Sequence, residues 1–221
     1  MKGTFAQKLS KAVSKFSGNL VVKTIASGMA RLLPVIMIGS IVTLLISLPI
    51  DPWLAFLESS GIGSIITIGS KMTNDIITIY LVVSLAYDMA RLLKVNQLNA
   101  VLASIVSFFI VTPMTEAMIG EKVIKVFTTT YLGSRGMFVG IIVALLATYL
   151  FYLLAEKGPK IKMPASVPPA ITASFESLIP AIGVASFFIL IGALFSMTSY
   201  GDVHSAVYAV LQAPLEGLGN S

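Results

Sequence analysis

Charge is scarce in this chain: 11% of its 221 residues are Asp, Glu, Lys or Arg, against ~25% in an ordinary soluble domain. A water-soluble protein of this length could not cover its surface with so little charge. Cysteine is absent, which excludes a disulfide framework, a thiolate nucleophile and a cysteine metal site. The one histidine, His204, cannot build a histidine metal cluster. Also missing are a Walker-type glycine loop, a His-Glu-x-x-His pair and a Ser/His/Asp set. The sequence therefore offers no catalytic residue, no cofactor site and no metal site.

Hydrophobic residues make up 56% of the chain, and their arrangement is specific. Four stretches, Leu32–Ile50, Val95–Thr115, Gly136–Ala155 and Ser177–Gly201, contain no charged residue. A bilayer core of ~30 Å needs about 20 apolar residues in a helix. Each stretch is near that length or above it. A fifth span is expected from about Thr73 to Met89, with Asp75 and Asp88 at its two interfaces. The formal net charge of +5 invites a nucleic-acid reading, but the basic residues flank apolar spans instead of forming one polar stripe. No nucleic-acid partner is expected.

Their distribution sets an orientation. With five spans and a cytoplasmic N-terminus, Lys71, Lys122, Lys125 and Arg135 fall outside and the other eleven of the fifteen basic residues fall inside. That bias follows the positive-inside rule. Omitting the fifth span inverts everything after it.

Several segments lie outside these spans. In residues 1–20, Phe5, Leu9, Val13 and Phe16 recur at helical spacing opposite Lys8, Lys11 and Lys15, which predicts a cytoplasmic amphipathic helix on the membrane surface. The first span is expected from near Ile25 to Leu48, with Arg31 snorkelling to the interface. Asp51-Pro52-Trp53 marks its exit, and residues 54–71 read as interfacial or re-entrant. Residues 116–135 favour a small hairpin or an irregular cap. The tail, Val203–Leu218, places Val207, Val210, Leu211, Leu215 and Leu218 on one side, as an outer surface helix.

Few ionisable or polar groups invite a functional reading. Asn74 and Asp75 read first as helix caps, with polar interhelical contact as the rival. Asp202 and His204 read as a solvated turn. Glu176 stands one residue before an uncharged stretch of 25 residues. It is either a polar contact to a sugar, the loop or another helix, or an interfacial carboxylate at a helix start, and the second reading is preferred.

The most informative segment follows the fourth span. Pro159, Pro164, Pro168 and Pro169 interrupt any helix there, removing N–H donors and fixing φ. The run Lys162-Met163-Pro164-Ala165-Ser166-Val167-Pro168-Pro169-Ala170-Ile171, followed by Ser174-Phe175-Glu176-Ser177-Leu178-Ile179-Pro180, resembles the enzyme IIC family. These are membrane subunits of the bacterial sugar phosphotransferase system, and the resemblance is to the lactose/cellobiose branch. Pro34 with Gly39-Ser40, Leu98-Asn99-Ala100 and Tyr131-Leu132-Gly133-Ser134-Arg135-Gly136 resemble the same family in the same order.

The resemblance implies a permease of the bacterial inner membrane that passes a disaccharide inward while a cytoplasmic IIB phosphocarrier phosphorylates it. It implies a homodimer whose contact lies in the first five helices. The sugar pocket of the family lies in a second half, so this chain is expected to be a first half that does not bind sugar alone. His204 precedes the place where the histidine motif of that second half would begin. Ser166, Lys162, Pro168, Ser174 and Glu176 are the candidates for substrate or loop contacts. A rigid connector is an equal reading of Lys162 and Ser166.

The expectation is thus an all-α membrane protein of about five transmembrane helices, with amphipathic surface helices at both termini. Its parts are the surface helix 1–20, a five-span unit 21–201, and an outer segment 202–221 leading toward a transport domain. The rival reading is a truncated, non-transporting membrane scaffold that keeps dimerisation.

Overall fold

Asn19 opens the first described helix, its side-chain oxygen accepting from the Val21 N–H at 2.8 Å. The fold is seen in a computed structural model describing residues 18–159, 161, 163, 164 and 166–219. The amphipathic helix expected over residues 1–20 falls almost wholly outside the described residues, as does Lys162. Helix α1 (Leu20–Arg31) continues into α2 (Leu33–Ser47) with a 41° bend. Pro34, in the first turn of α2, has no N–H to carry the helical ladder across the joint. The expected first span is this bent pair.

Residues 51–71 are helical. Helices α3 (Asp51–Ser60) and α4 (Ile62–Lys71) meet at Gly61, whose φ of +71° is the left-handed geometry that glycine adopts without strain. Helix α4 runs antiparallel to α2, with Gly69 against Val42 and Asn74 against Gly39. A 3₁₀ turn at Asn74–Ile76 then leads into α5 (Ile77–Leu93). The apolar span therefore starts well before Thr73: Ile62–Leu93 qualifies as one membrane-crossing length. Residues 54–71, expected as interfacial or re-entrant, lie in two helices, and Gly69 packs on Val42 of α2.

After α6 (Gln97–Val111) comes the hairpin expected in this region. Strand β1 (Thr115–Ile119) pairs antiparallel with β2 (Lys122–Val126), Thr115 opposite Val126. The chain continues through α7 (Thr129–Leu132), α8 (Met137–Lys157), α9 (Pro169–Glu176), α10 (Leu178–Ser196) and α11 (Val203–Gly219). Ile62–Leu93, Ser134–Lys157 and Ile171–Ser196 are long and apolar enough to cross a membrane, and the α1–α2 pair is long and apolar enough for a fourth if its two bent halves form one span. Helix α6, apolar but only 15 residues long, is the span expected over Val95–Thr115 in shorter form.

Helix α5 is the centre of the bundle, packed by α1, α6 and α8, while α10 rests on α6 and α8. Leu81, Val82, Leu85 and Ala86 of α5 are fully buried, with Phe108, Phe151 and Val184 around them. Lipid is as apolar as leucine, so close packing and hydrogen bonds hold such helices together. Thr78 donates to the Gly133 carbonyl at 2.6 Å, Ser84 to the Gly28 carbonyl at 2.7 Å, and the Ser104 and Thr148 hydroxyls meet at 3.2 Å. A Cβ at Gly28 would stand 2.5 Å from Leu85 Cδ2, so glycine sets the distance between α1 and α5.

The far end of α5 adds a contact that the sequence did not predict: Asp88 is fully buried and paired with Arg31, whose side chain stays half-exposed. Arg31 Nε donates to Asp88 Oδ2 at 2.8 Å, and Arg91 reaches Oδ1 at 3.2 Å. The Arg31 guanidinium also lies 5.2 Å from the Tyr87 ring centroid. A buried carboxylate persists only with such partners. Sequence spacing alone could not bring Arg31 beside Asp88.

Asn74 departs from the preferred reading as a cap. It forms no cap; its amide donates to Thr43 Oγ1 at 3.3 Å and Ser70 Oγ at 3.2 Å. Polar contact between α2 and the end of α4 was the rival reading, and the close approach at Gly39 explains why it prevails.

Candidate functional site

Proline dictates the geometry of the segment between α8 and α10. Residues 158–168 form no helix among those described, and a turn brings the Val167 N–H to the Pro164 carbonyl at 3.0 Å. Pro168 then stands before α9, its carbonyl accepting from Ile171 and Thr172 at 3.0 and 3.1 Å. Pro169 occupies the first helical position, where a missing N–H costs nothing. Helix α9 lasts eight residues and breaks at Ser177, from which α10 starts.

Asn99 of α6 holds that break. Its amide donates to Ser177 Oγ at 2.6 Å and to the Ala173 carbonyl at 3.2 Å. Asn99 is itself fixed, because its N–H bonds to the N-cap side chain of Asn96 at 3.0 Å. One side chain thus joins the start of α6, the end of α9 and the start of α10.

Cavities open on both sides of this joint. One of about 470 Å³ lies between α6 and α10, with Asn99, Ser174 and Ser177 at its polar end and Leu102, Val106 and Ile182 along its walls. A cleft of about 330 Å³ lies on the other side, lined by Lys94, Asn96, Glu156, Glu176 and Ser177. Ser174 and Glu176 therefore face different spaces across the same short helix. Ser166 is exposed in the proline turn and lines neither cavity; Pro168 is exposed at the start of α9. Glu176 ends α9, is exposed, and stands one residue before Ser177, the N-cap of α10.

Sequence reasoning passed over Asn99 as a site residue and misplaced His204. His204 is fully buried in the first turn of α11, its ring 4.6 Å from that of Tyr131 and 5.9 Å from that of Phe108. The Thr112 hydroxyl donates to the Phe108 carbonyl at 2.7 Å, so its oxygen accepts from His204 Nε2–H at 3.2 Å. Nδ1 keeps a buried lone pair without a hydrogen-bond partner among the described residues. Burial pushes the imidazole pKa down to about 4, with Asp202 pulling weakly the other way. The solvated turn is corrected: Asp202 caps α11 by accepting from the Ser205 N–H at 2.8 Å, and the helix carries His204 inward. The signal for this was local, since Val203, Ala206 and Val207 surround the histidine at helical spacing.

The arrangement has clear relatives. The family model "Phosphotransferase system, EIIC" matches residues 26–219. The chain belongs to that family. A relative in Bacillus subtilis (strain 168), the oligo-beta-mannoside-specific EIIC component, is 29% identical, covering 97% of this chain and 49% of the relative. The cellobiose-specific EIIC component of Geobacillus stearothermophilus is 28% identical, covering 98% and 51%. Among solved structures, the transporter ChbC, the IIC component of the N,N'-diacetylchitobiose-specific phosphotransferase system, superposes with a TM-score of 0.86. It shows 29% identity, with 97% of this chain covering 52% of that one. This chain spans about half the length of the relatives it matches.

Proposed function

We propose that this EIIC chain supplies the first half of the membrane permease of a phosphoenolpyruvate-dependent sugar phosphotransferase system. Its substrate class is a β-glucoside or galactoside disaccharide such as cellobiose, chitobiose or lactose. The observation that carries the reading is the overlay of 97% of this chain on half of a chitobiose-specific IIC transporter at a TM-score of 0.86. The named specificities of the relatives support the same substrate class.

In this reading residues 21–201 are a five-span unit, residues 1–20 lie on the cytoplasmic surface, and residues 202–221 lead outside toward the transport domain. The proline-rich segment and α9 lie on the cytoplasmic face, where IIB delivers phosphate. Two copies associate through their helices. Ser174, Glu176 and Ser166, with Pro168 and Lys162, are contacts to substrate or to the loop, not phosphorylated groups.

A second reading, a membrane scaffold that does not transport, draws on the cavity linings. Two cavities beside α6, of about 700 and 470 Å³, are walled mainly by apolar side chains, whereas a disaccharide needs several converging polar groups.

Two measurements separate these readings. Co-expression with the second half of the Geobacillus cellobiose-specific component, in cells lacking their own permease, should restore accumulation of phosphorylated cellobiose. No accumulation despite a stable complex of the two halves favours the scaffold. The purified chain alone should show no thermal shift with millimolar cellobiose, and a clear shift would place a sugar site in this half. For orientation, Ser166→Cys should label from the cytoplasm and Gly61→Cys from outside.

A further inference from the structure

One buried carboxylate holds two arginines side by side near the end of α5. Asp88 Oδ2 accepts from Arg31 Nε at 2.8 Å, and Oδ1 lies 3.2 Å from Arg91 Nη2. Asp88 is fully buried, whereas the side chains of both arginines are 48% exposed. Contacts with Asp88 are the only hydrogen bonds that either guanidinium makes among the described residues. A guanidinium is a planar fork of several N–H donors. Each arginine therefore keeps donors that no described protein group meets, and the cluster keeps one positive charge in excess.

Tyr87 completes the surface. It is the only exposed residue of α5 from Leu81 to Ala90, and it lies one turn before Arg91 on the same helical face. The Arg31 guanidinium stands 5.2 Å from its ring centroid, a cation–π distance. Leu92, next to Arg91 in the chain, is exposed as well. The cluster sits at the end of a helix of membrane-crossing length, the level at which tyrosine and arginine meet lipid headgroups.

These features select a ligand. A phosphate has enough acceptor oxygens to take N–H donors from two guanidiniums at once. A headgroup ammonium would find no acceptor here, because both Asp88 oxygens are engaged by arginine. The exposed ring of Tyr87 and the Leu92 side chain suit a phosphate that carries acyl chains, where a free phosphate ion would leave them unmatched. We propose that Arg31, Arg91 and Tyr87 form a binding site for the phosphate of an anionic phospholipid, of the phosphatidylglycerol type. Asp88 is the buried strut that fixes both guanidiniums toward it. The proposal rests on this cluster and on the membrane-crossing helices, not on the transport reading.

The test is native mass spectrometry of the full chain in mild detergent, titrated separately with phosphatidylglycerol and phosphatidylethanolamine. One phosphatidylglycerol should be retained per chain, roughly 5-fold over phosphatidylethanolamine, as one excess cation at a membrane surface implies. Arg91→Lys keeps the charge and leaves Arg31 on Asp88 but gives up the fork, so phosphatidylglycerol retention should fall about 3-fold. Tyr87→Leu leaves both ion pairs in place and should cost about 2-fold. Thermal unfolding should be unchanged in both variants. Lys157→Gln, an exposed charge outside the cluster, should leave retention as it is. Equal retention of the two lipids would overturn the proposal, as would undiminished retention in Arg91→Lys. An equal loss in Lys157→Gln would reduce the effect to overall charge and overturn it too. Full displacement of the lipid by ~10 mM inorganic phosphate would make this a site for the free ion and refute the lipid assignment.

Discussion

Helices α5 and α10 are both apolar and both of crossing length, yet the protein treats them oppositely. Within their most apolar windows, 56% of the Ile62–Leu93 span is buried against 17% of Ile171–Ser196. Helix α5 carries Thr78, Ser84 and Asp88 into that burial, each with a hydrogen-bond partner on a neighbouring element. Helix α10 carries Ile182, Ile189, Leu190 and Leu194 outward, all exposed. A helix surrounded by protein is held by small and polar side chains, whereas the outward face of α10 is apolar and uncovered within this chain. Hydrophobicity therefore does not rank these helices by burial.

The strongest way to break this contrast is to leave the polar end of α5 uncompensated. Replacing both Arg31 and Arg91 by leucine strips Asp88 of its counter-charges. An unpaired buried carboxylate costs about 3–5 kcal/mol, and denaturant titration in detergent micelles should register a loss of that order. An unchanged midpoint would show that Asp88 is reached by water. Next, Leu85→Ala removes a fully buried side chain and should cost about 3 kcal/mol. Its counterpart on α10, Leu190→Ala, should change the same midpoint by less than ~0.5 kcal/mol. A large loss at Leu190 would reveal protein covering α10.

Acid sharpens the comparison at the end of the bundle where α11 starts. The His204 pKa is about 4 in the folded chain against an ordinary 6.5. Above pH 6.5 both folded and unfolded forms are neutral and the group is silent. As the pH falls from 6.5 toward 4 the unfolded chain takes up a proton that the folded chain refuses, so stability drops. The loss amounts to roughly 3 kcal/mol at pH 4 and levels off below. His204→Gln should flatten that part of the stability profile, and equal slopes in both proteins would rule out the buried imidazole. The smallest effect belongs to Asn74→Ala, about 0.6 kcal/mol in the same titration, because its hydrogen bonds join the half-covered layer of α2 and α4.

Much of the fold was legible. The uncharged stretches located α2, α6, α8 and α10, the charge bias required a further crossing that became α5, and the proline run marked where helix stops. Lipid demands long uninterrupted apolar helices, and such a demand is written locally in sequence. The site was legible only in part. Pro168, Ser174 and Glu176 do lie at one joint, but its keystone is Asn99, 78 residues from Ser177 in the chain. His204 was misread because a polar residue beside an acid resembles a turn until its neighbours are counted.

Sequence by itself determined that long apolar helices would dominate, roughly where they would run, and which family the chain resembles. Those properties depend on composition along short windows. Only the tertiary structure decided that Arg31 meets Asp88, that Asn99 pins the α9–α10 joint, and that His204 turns inward, because each is a contact between distant segments. Such contacts depend on how helices approach one another, and glycines such as Gly28 and Gly39 set those distances without revealing in sequence which helix comes near.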